Sequence, residues 1–235
     1  MGRSRKKPST SRGRDRTAAR DLVGQPRETS AFTSPDPVSS RVANLGLHQP
    51  PPGSDDALTL PFEFLRLGAT RRVDGELGGT LDELDARVFD FTAADDAGSG
   101  GPTTYPYHVA AVELGFRLPW LAVCARRVHQ PAHRLYPGRR SLDLLTSARR
   151  ISHDYRLYAD DFGQAGSVLD GPVRAWLPEA LSLQIGNRPI VTLEVSGAWA
   201  MVAVQAEGAA DPDALLAVLR QFREKVPAAW RRRTG

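Results

Sequence analysis

The sequence predicts an α+β fold, an antiparallel sheet with helices packed on one face and an amphipathic helix at the C-terminal end. Three observations carry that expectation. Val88/Asp90 and Phe89/Phe91 alternate in one run and Val109, Ala111 and Glu113 oppose His108, Ala110, Val112 and Leu114 in the next, which reads as a hairpin. Beyond it the order is strand, helix, three strands and helix, an arrangement that places helices against an antiparallel sheet. The last of those helices carries its own start and stop signals.

Taken in order, Val73 to Leu81 is a glycine-spaced strand and Ala86 to Thr92 a stronger one. Asp95 to Thr104 has the Asp, Gly, Ser and Pro content of a reversing loop, and Tyr107 to Phe116 returns as the partner strand. Trp120 to Arg126 follows Pro119 as a further short strand. Ser141 to Leu145 reads as one or two helical turns capped by Ser141. Ile151 to Ala159 alternates, with Ile151, Tyr155, Leu157 and Ala159 on one face. Asp161 to Leu169 is helical, and Pro172 opens another turn through Val173, Trp176 and Leu177. Leu181, Leu183 and Ile185 then alternate. Gly186 to Pro189 turns the chain into Ile190 to Val195, and Ser196-Gly197 turns it again into Trp199 to Val204, a meander. Asp211 and Pro212 start the closing helix, Leu215, Leu219, Phe222 and Val226 form its stripe, and Pro227 ends it.

Composition bounds the class. Of 235 residues, 41% are hydrophobic and 25% charged, ordinary values for a globular protein. A single cysteine, Cys124, excludes an internal disulfide framework. No run is long and apolar enough to predict a membrane span, and the basic N-terminus lacks the apolar stretch of a secretory signal, so the expected location is cytoplasmic.

The net charge of +4 divides unevenly. Residues 1–50 hold ten Arg/Lys and four Asp/Glu, whereas 51–235 hold 21 and 23. Residues 57–226 alone are net −3, so the basic pI belongs to the ends of the chain. The predicted organisation is a disordered basic arm over 1–56, one α+β domain over 57–226 and a basic tail over 227–235. The arm is dense in Arg, Ser, Pro and Gly and has little apolar surface to offset the entropy of ordering it.

The run Ala86-Arg-Val-Phe-Asp-Phe91, the Ile151 to Asp161 strand ending in Asp-Asp, and Pro172-Val-Arg-Ala-Trp-Leu177 followed by Leu181-Ser-Leu come in a recognisable order. Over roughly 70–205 the chain resembles an uncharacterised actinobacterial protein family with an RVFDY-like strand, an FNRRFRV…DD-like strand and a P-x-x-x-x-L helix. The resemblance implies the same fold and an actinobacterial origin. It brings no activity with it, and the membrane helices that many members carry have no counterpart in this sequence.

Chemical motifs are few. His129 and His133 have helical ligand spacing, but Pro131 lies between them and no third ligand is near, so no metal is expected. Cys124 sits between Val123 and Ala125 as a small buried hydrophobe. Gly98 to Gly101 is followed by Pro102 rather than by a helix, which excludes a phosphate loop, and Gly166-Ser167 lacks the pattern of a nucleophile elbow. No cofactor is expected. His153 and Asp154 are strand neighbours pointing to opposite faces, and Asp161 is placed to cap a helix. Trp230, beside Arg231, Arg232 and Arg233, either meets an interface or folds back onto the domain.

Two functions from different classes follow. The first is a non-enzymatic α+β binding module whose arm, through Arg3, Arg5, Lys6, Lys7, Arg12, Arg14, Arg16 and Arg20, is drawn to nucleic acid or to an anionic membrane surface without reading sequence. The alternative is a small-molecule enzyme with its site on an open sheet face near His153 and Asp160.

Overall fold

A computed structural model describes residues 46–50, 57–95, 103–125, 135–136, 138–143, 155–185, 188–206 and 211–232. Among the described residues seven strands make the sheet: β1 Thr70–Leu81, β2 Leu84–Asp95, β3 Thr103–Ala125, β4 Ser141–Asp143, β5 Tyr155–Ala159, β6 Gln184–Ile185 and β7 Arg188–Gln205. Every pairing is antiparallel. The central strand β3 is long enough to take two partners along one edge. Its first half pairs with β2 (Ala86↔Val112 to Asp95↔Thr103) and its last residues with β5 (Leu121↔Ala159 to Ala125↔Tyr155). Along the other edge β7 follows it from Tyr107↔Gln205 to Cys124↔Thr192. Among the described residues four α-helices follow β5: α1 Phe162–Val168, α2 Pro172–Ser182, α3 Pro212–Lys225 and α4 Ala228–Arg231. The architecture is thus an antiparallel sheet with a few helices.

Strand alternation sends side chains to two buried layers. Ala110, Val112, Leu121, Val123, Leu157, Val195 and Val202 cluster with Val168, Val173, Leu177, Leu215, Leu219 and Phe222 from the helices. Trp176 and Phe222 meet at 6.2 Å between ring centroids, and the Trp176 indole donates to Gln221 Oε1 at 2.8 Å, joining α2 to α3. Opposite parity sends Phe89, Phe91, Tyr107, Val109, Ala122 and Cys124 to a second layer, where two 3-10 turns (Ala57–Thr59 and Phe64–Arg66) and Leu135-Tyr136 cover them. Phe64 sits edge-on to Tyr107 at 5.0 Å in that layer.

Local chemistry explains several element ends. Asp161 caps α1, accepting from the Gly163 and Gln164 amides at 2.8 and 3.1 Å. Asp211 accepts from the Ala214 amide at 3.1 Å with Pro212 in the first turn of α3. The β1–β2 hairpin closes on two residues, Asp82 and Glu83, with φ of 52° and 69°. Both lie in the left-handed region that a two-residue hairpin turn of this kind demands. Neither is the Asn or Gly that signals such a turn, so the hairpin was silent in the sequence.

Several expectations need correction. Ser141–Asp143 is a strand rather than helical turns, because pairing with Tyr158, Leu157 and Arg156 supplies more hydrogen bonds than an isolated turn could nucleate. Pro119 does not separate two strands. It lies inside β3 between Leu118 and Leu121, where the register shifts and proline is tolerated. Ser196-Gly197 is likewise no turn but an irregularity within β7, with Gly197 at φ 60° and pairing to β3 on both sides. Leu181 belongs to α2, Leu183 is 42% exposed, and only Gln184–Ile185 pairs as a strand there.

The ends of the folded region also differ from the residue 57 and 226 boundaries. Leu47 is buried in the helical layer and His48 bridges Gly78, since an apolar side chain beside a free strand edge gains both contacts at once. Downstream, Ala228–Arg231 is helical and Trp230 is buried, its indole body joining the same layer while Arg231 and Arg232 stay exposed.

Candidate functional site

Polar groups inside the second layer converge on Glu194. It stands on β7 opposite Ala122 and is fully buried. Its Oε1 accepts from the Glu63 amide at 2.7 Å and from the Trp120 indole at 2.9 Å. Its Oε2 accepts from the Phe64 amide at 3.0 Å and from the Tyr136 hydroxyl at 3.0 Å. Each oxygen therefore holds two donors. Burial pushes the carboxyl above its ordinary range although all four donors pull the other way.

The network extends on both sides of the carboxylate. The Tyr136 hydroxyl meets Thr192 Oγ1 at 3.1 Å, and Cys124 Sγ meets the same oxygen at 3.2 Å. Burial pushes the Cys124 thiol up to about 12, so the thiolate that would attack or bind metal is not formed near neutrality. Burial raises the Tyr136 phenol too. Outside Glu194, Arg139 pairs with Glu63 and Asp160, and its guanidinium carbon lies 4.4 Å from the centre of the Trp120 ring. Trp120 is in turn edge-on to Tyr136 at 5.5 Å.

Glu194 fastens the Glu63-Phe64 turn and Tyr136 onto the sheet, and Arg139 closes the rim from solvent. The thiol, hydroxyls and carboxylate that could do chemistry are each engaged by a neighbour. A second polar pair lies on the other face, where His108 Nδ1 and Asp90 Oδ1 are 2.6 Å apart on directly opposed residues of β3 and β2. Among the described residues no group of three His, Cys, Asp or Glu side chains is placed to hold a metal ion.

Of the residues singled out from sequence, Cys124 is buried and Asp160 is an ion-pair partner of Arg139. Asp161 is a helix cap, and Trp199, which its apolar context would place in the core, is only half-buried. Arg3, Arg5, Lys6, Lys7, Arg12, Arg14, Arg16 and Arg20 lie outside the described residues, as do His129, His133, His153, Asp154 and Gly98 to Gly101. Glu194 and Tyr136 carry no role in the sequence reading, and Arg139 enters it only as part of the Arg139-Arg140 pair, a fallback anion site, whereas the structure pairs it with Glu63 and Asp160. The available signal was a carboxylate inside the apolar run Ile190 to Val195, where an acid needs donors to be tolerated.

Fold and site together define an antiparallel-sheet protein with a few helices and a polar staple beneath a covering segment. No protein-family model and no curated protein matches the chain, as a resemblance to a family without assigned activity leads one to expect. A solved structure, the mycobacterial trehalose monomycolate transport factor A (TtfA), is similar over 66% of this chain and 74% of its own, with 13% identity and a TM-score of 0.44. A likeness of that size assigns neither family nor function. Among the described residues no helix is long and apolar enough to cross a membrane.

Proposed function

We propose that the chain is a non-enzymatic, cytoplasmic α+β binding module. In this reading the helices, with the amphipathic α3 among them, pack on one face of the sheet, and the basic segment upstream is drawn to anionic polyphosphate surfaces. The partition of charge carries the reading. Within the described fold many cations already have carboxylate partners: Arg72 with Asp74 at 2.7 Å, Arg87 with Glu76 at 3.1 Å, Arg220 with Asp82 at 2.9 Å, and Arg139 with both Glu63 and Asp160. Residues 57–226 sum to −3, whereas residues 1–20 hold eight basic groups against Asp15 alone. Attraction to phosphates therefore falls to the arm, whose contacts are electrostatic and not sequence-reading.

The test compares the full chain with one starting at Gly46, which keeps the buried Leu47. RNA and phosphatidylserine vesicles are titrated separately across a series of salt concentrations. The full chain binds weakly, and its affinity falls steeply with salt because neutralised phosphates release condensed counterions. The shortened chain loses nearly all of that binding. The two titrations tell a nucleic-acid backbone from a lipid headgroup. Equal binding by the shortened chain would refute the arm and move the search to Arg126-Arg127, Arg139-Arg140 and Arg149-Arg150.

A further inference from the structure

The four donors on Glu194 differ in whether they can turn round. The Glu63 and Phe64 amides and the Trp120 indole are N–H groups, which only donate. Of the four, the Tyr136 hydroxyl alone can accept instead. Oε1 is held by two N–H groups, so a proton placed there would face a donor on either side. Oε2 is held by one N–H and by the hydroxyl. The carboxyl therefore accommodates a proton in one place, on Oε2 facing the Tyr136 oxygen.

The direction of a longer chain follows from that choice. Tyr136 has one hydroxyl proton, and with Glu194 ionised it is committed to Oε2 at 3.0 Å. Thr192 then donates to the Tyr136 oxygen at 3.1 Å, and the Cys124 thiol donates to Thr192 Oγ1 at 3.2 Å. With Glu194 protonated every bond turns round. The carboxyl donates to Tyr136, Tyr136 donates to Thr192, and Thr192 donates to the Cys124 sulfur. All four residues are buried, so bulk water does not compete for these bonds. No bond to the carboxyl is lost, and the layer stays closed while the direction changes.

The charged and titratable groups around the carboxyl favour this response. Glu63 precedes the Phe64 turn, Asp160 ends β5, and Arg139 is bonded to both. Arg156 stands opposite Cys124 on β5, and the Tyr158 ring lies 5.1 Å from that of Tyr136. Burial raises the Cys124 thiol and the Tyr136 phenol, so neither changes charge on acidification, whereas burial of Glu194 favours its neutral form. Glu194 also attracts the Arg139 guanidinium from beneath the rim.

We propose that Glu194 is a proton switch, which on mild acidification takes a proton on Oε2 and reverses the hydrogen-bond chain through Tyr136 and Thr192 to Cys124. With the carboxyl neutral, Arg139 is drawn by two carboxylates in place of three, and the rim over Trp120 loosens above a layer that remains packed. The switch does not depend on what the basic arm binds.

The chain has one cysteine, so its S–H stretch is a single infrared band. That band rises in frequency when the thiol stops donating to Thr192. The Trp120 indole proton, seen by NMR, moves upfield as its acceptor loses charge. Both are followed in the full chain from neutral pH downward, while far-UV circular dichroism stays unchanged. The two signals move together, with one midpoint above the ordinary carboxylate range, and the Arg139 Nε proton exchanges faster with water below it. In Thr192→Val the indole still titrates but the S–H band stays fixed. Should that variant fail to fold, Tyr136→Phe cuts the chain one link earlier and separates the signals in the same way. An indole that titrates while the wild-type S–H band stays fixed would overturn the proposal. So would a band that moves equally in the cut chains, a rim that exchanges alike on both sides of the midpoint, or two signals that stay fixed until the protein unfolds.

Discussion

Replacing Glu194 with glutamine tests whether the buried carboxylate fastens the covering segment to the sheet. The four donors on its oxygens come from Glu63, Phe64, Trp120 and Tyr136. Glutamine keeps one acceptor oxygen for two of them and turns an amide NH2 toward the other two. Two stranded buried donors at about 1–3 kcal/mol each give a loss of about 2–6 kcal/mol. Some of that is offset, because a neutral amide escapes the burial that pushes the Glu194 carboxyl upward. A net loss of about 2–4 kcal/mol is expected, a large share of the 5–15 kcal/mol typical of a whole domain, roughly speaking. Urea unfolding measures the total. Amide hydrogen exchange at Glu63 and Phe64 locates it, since these amides bond to different oxygens of Glu194 and one of the two loses its acceptor. A variant within about 0.5 kcal/mol of the wild type, the scale of an ordinary surface substitution, with both amides still protected, would refute the reasoning.

The remaining predictions concern the same core. Because the folded-state pKa of Glu194 is raised, the native state takes up its proton at higher pH than the unfolded chain. Its contribution to stability grows as pH falls toward the ordinary carboxylate value and is lost as pH rises through the raised one. The wild type should therefore gain stability over Glu194→Gln on mild acidification, as unfolding curves at several pH values will record; an opposite slope would remove burial as the dominant cause. Cys124, buried and with its thiol pushed up to about 12, should ignore a thiol reagent at neutral pH until the protein unfolds. Rapid native labelling would contradict the burial of this β3 side chain. Phe222→Ala should cost about 3–5 kcal/mol by opening a cavity between α3, Trp176 and the sheet. An unchanged melting temperature would mean that α3 does not dock through that side chain.

Elements built from local chemistry were legible in the sequence. Asp161 and Asp211 cap helices because a short acceptor side chain reaches amides two or three residues on, whatever the rest of the chain does. The alternation of Phe89/Phe91 against Val88, and of Tyr155/Leu157 against Tyr158, sorts those side chains to opposite layers of the sheet. The hairpin of β2 and β3 follows from the same period. Ser141–Asp143 was misread because its own residues suit a helical turn and only the neighbouring β5 makes it a strand.

What the sequence by itself determined, then, was the set of strand faces, the helix ends and the charge partition, since each depends on neighbours a few residues away. Tertiary structure alone decided that β3 runs unbroken through Pro119 and β7 through Gly197. The register of each against the other continues across its irregularity, and neither strand contains that information. It also decided the Glu194 staple. Its donors lie 58 to 131 positions away along the chain, and no local pattern marks an amide or indole that only folding brings within reach. The same holds for Leu47, whose place beside Gly79 depends on a strand edge that exists only once β1 has paired with β2.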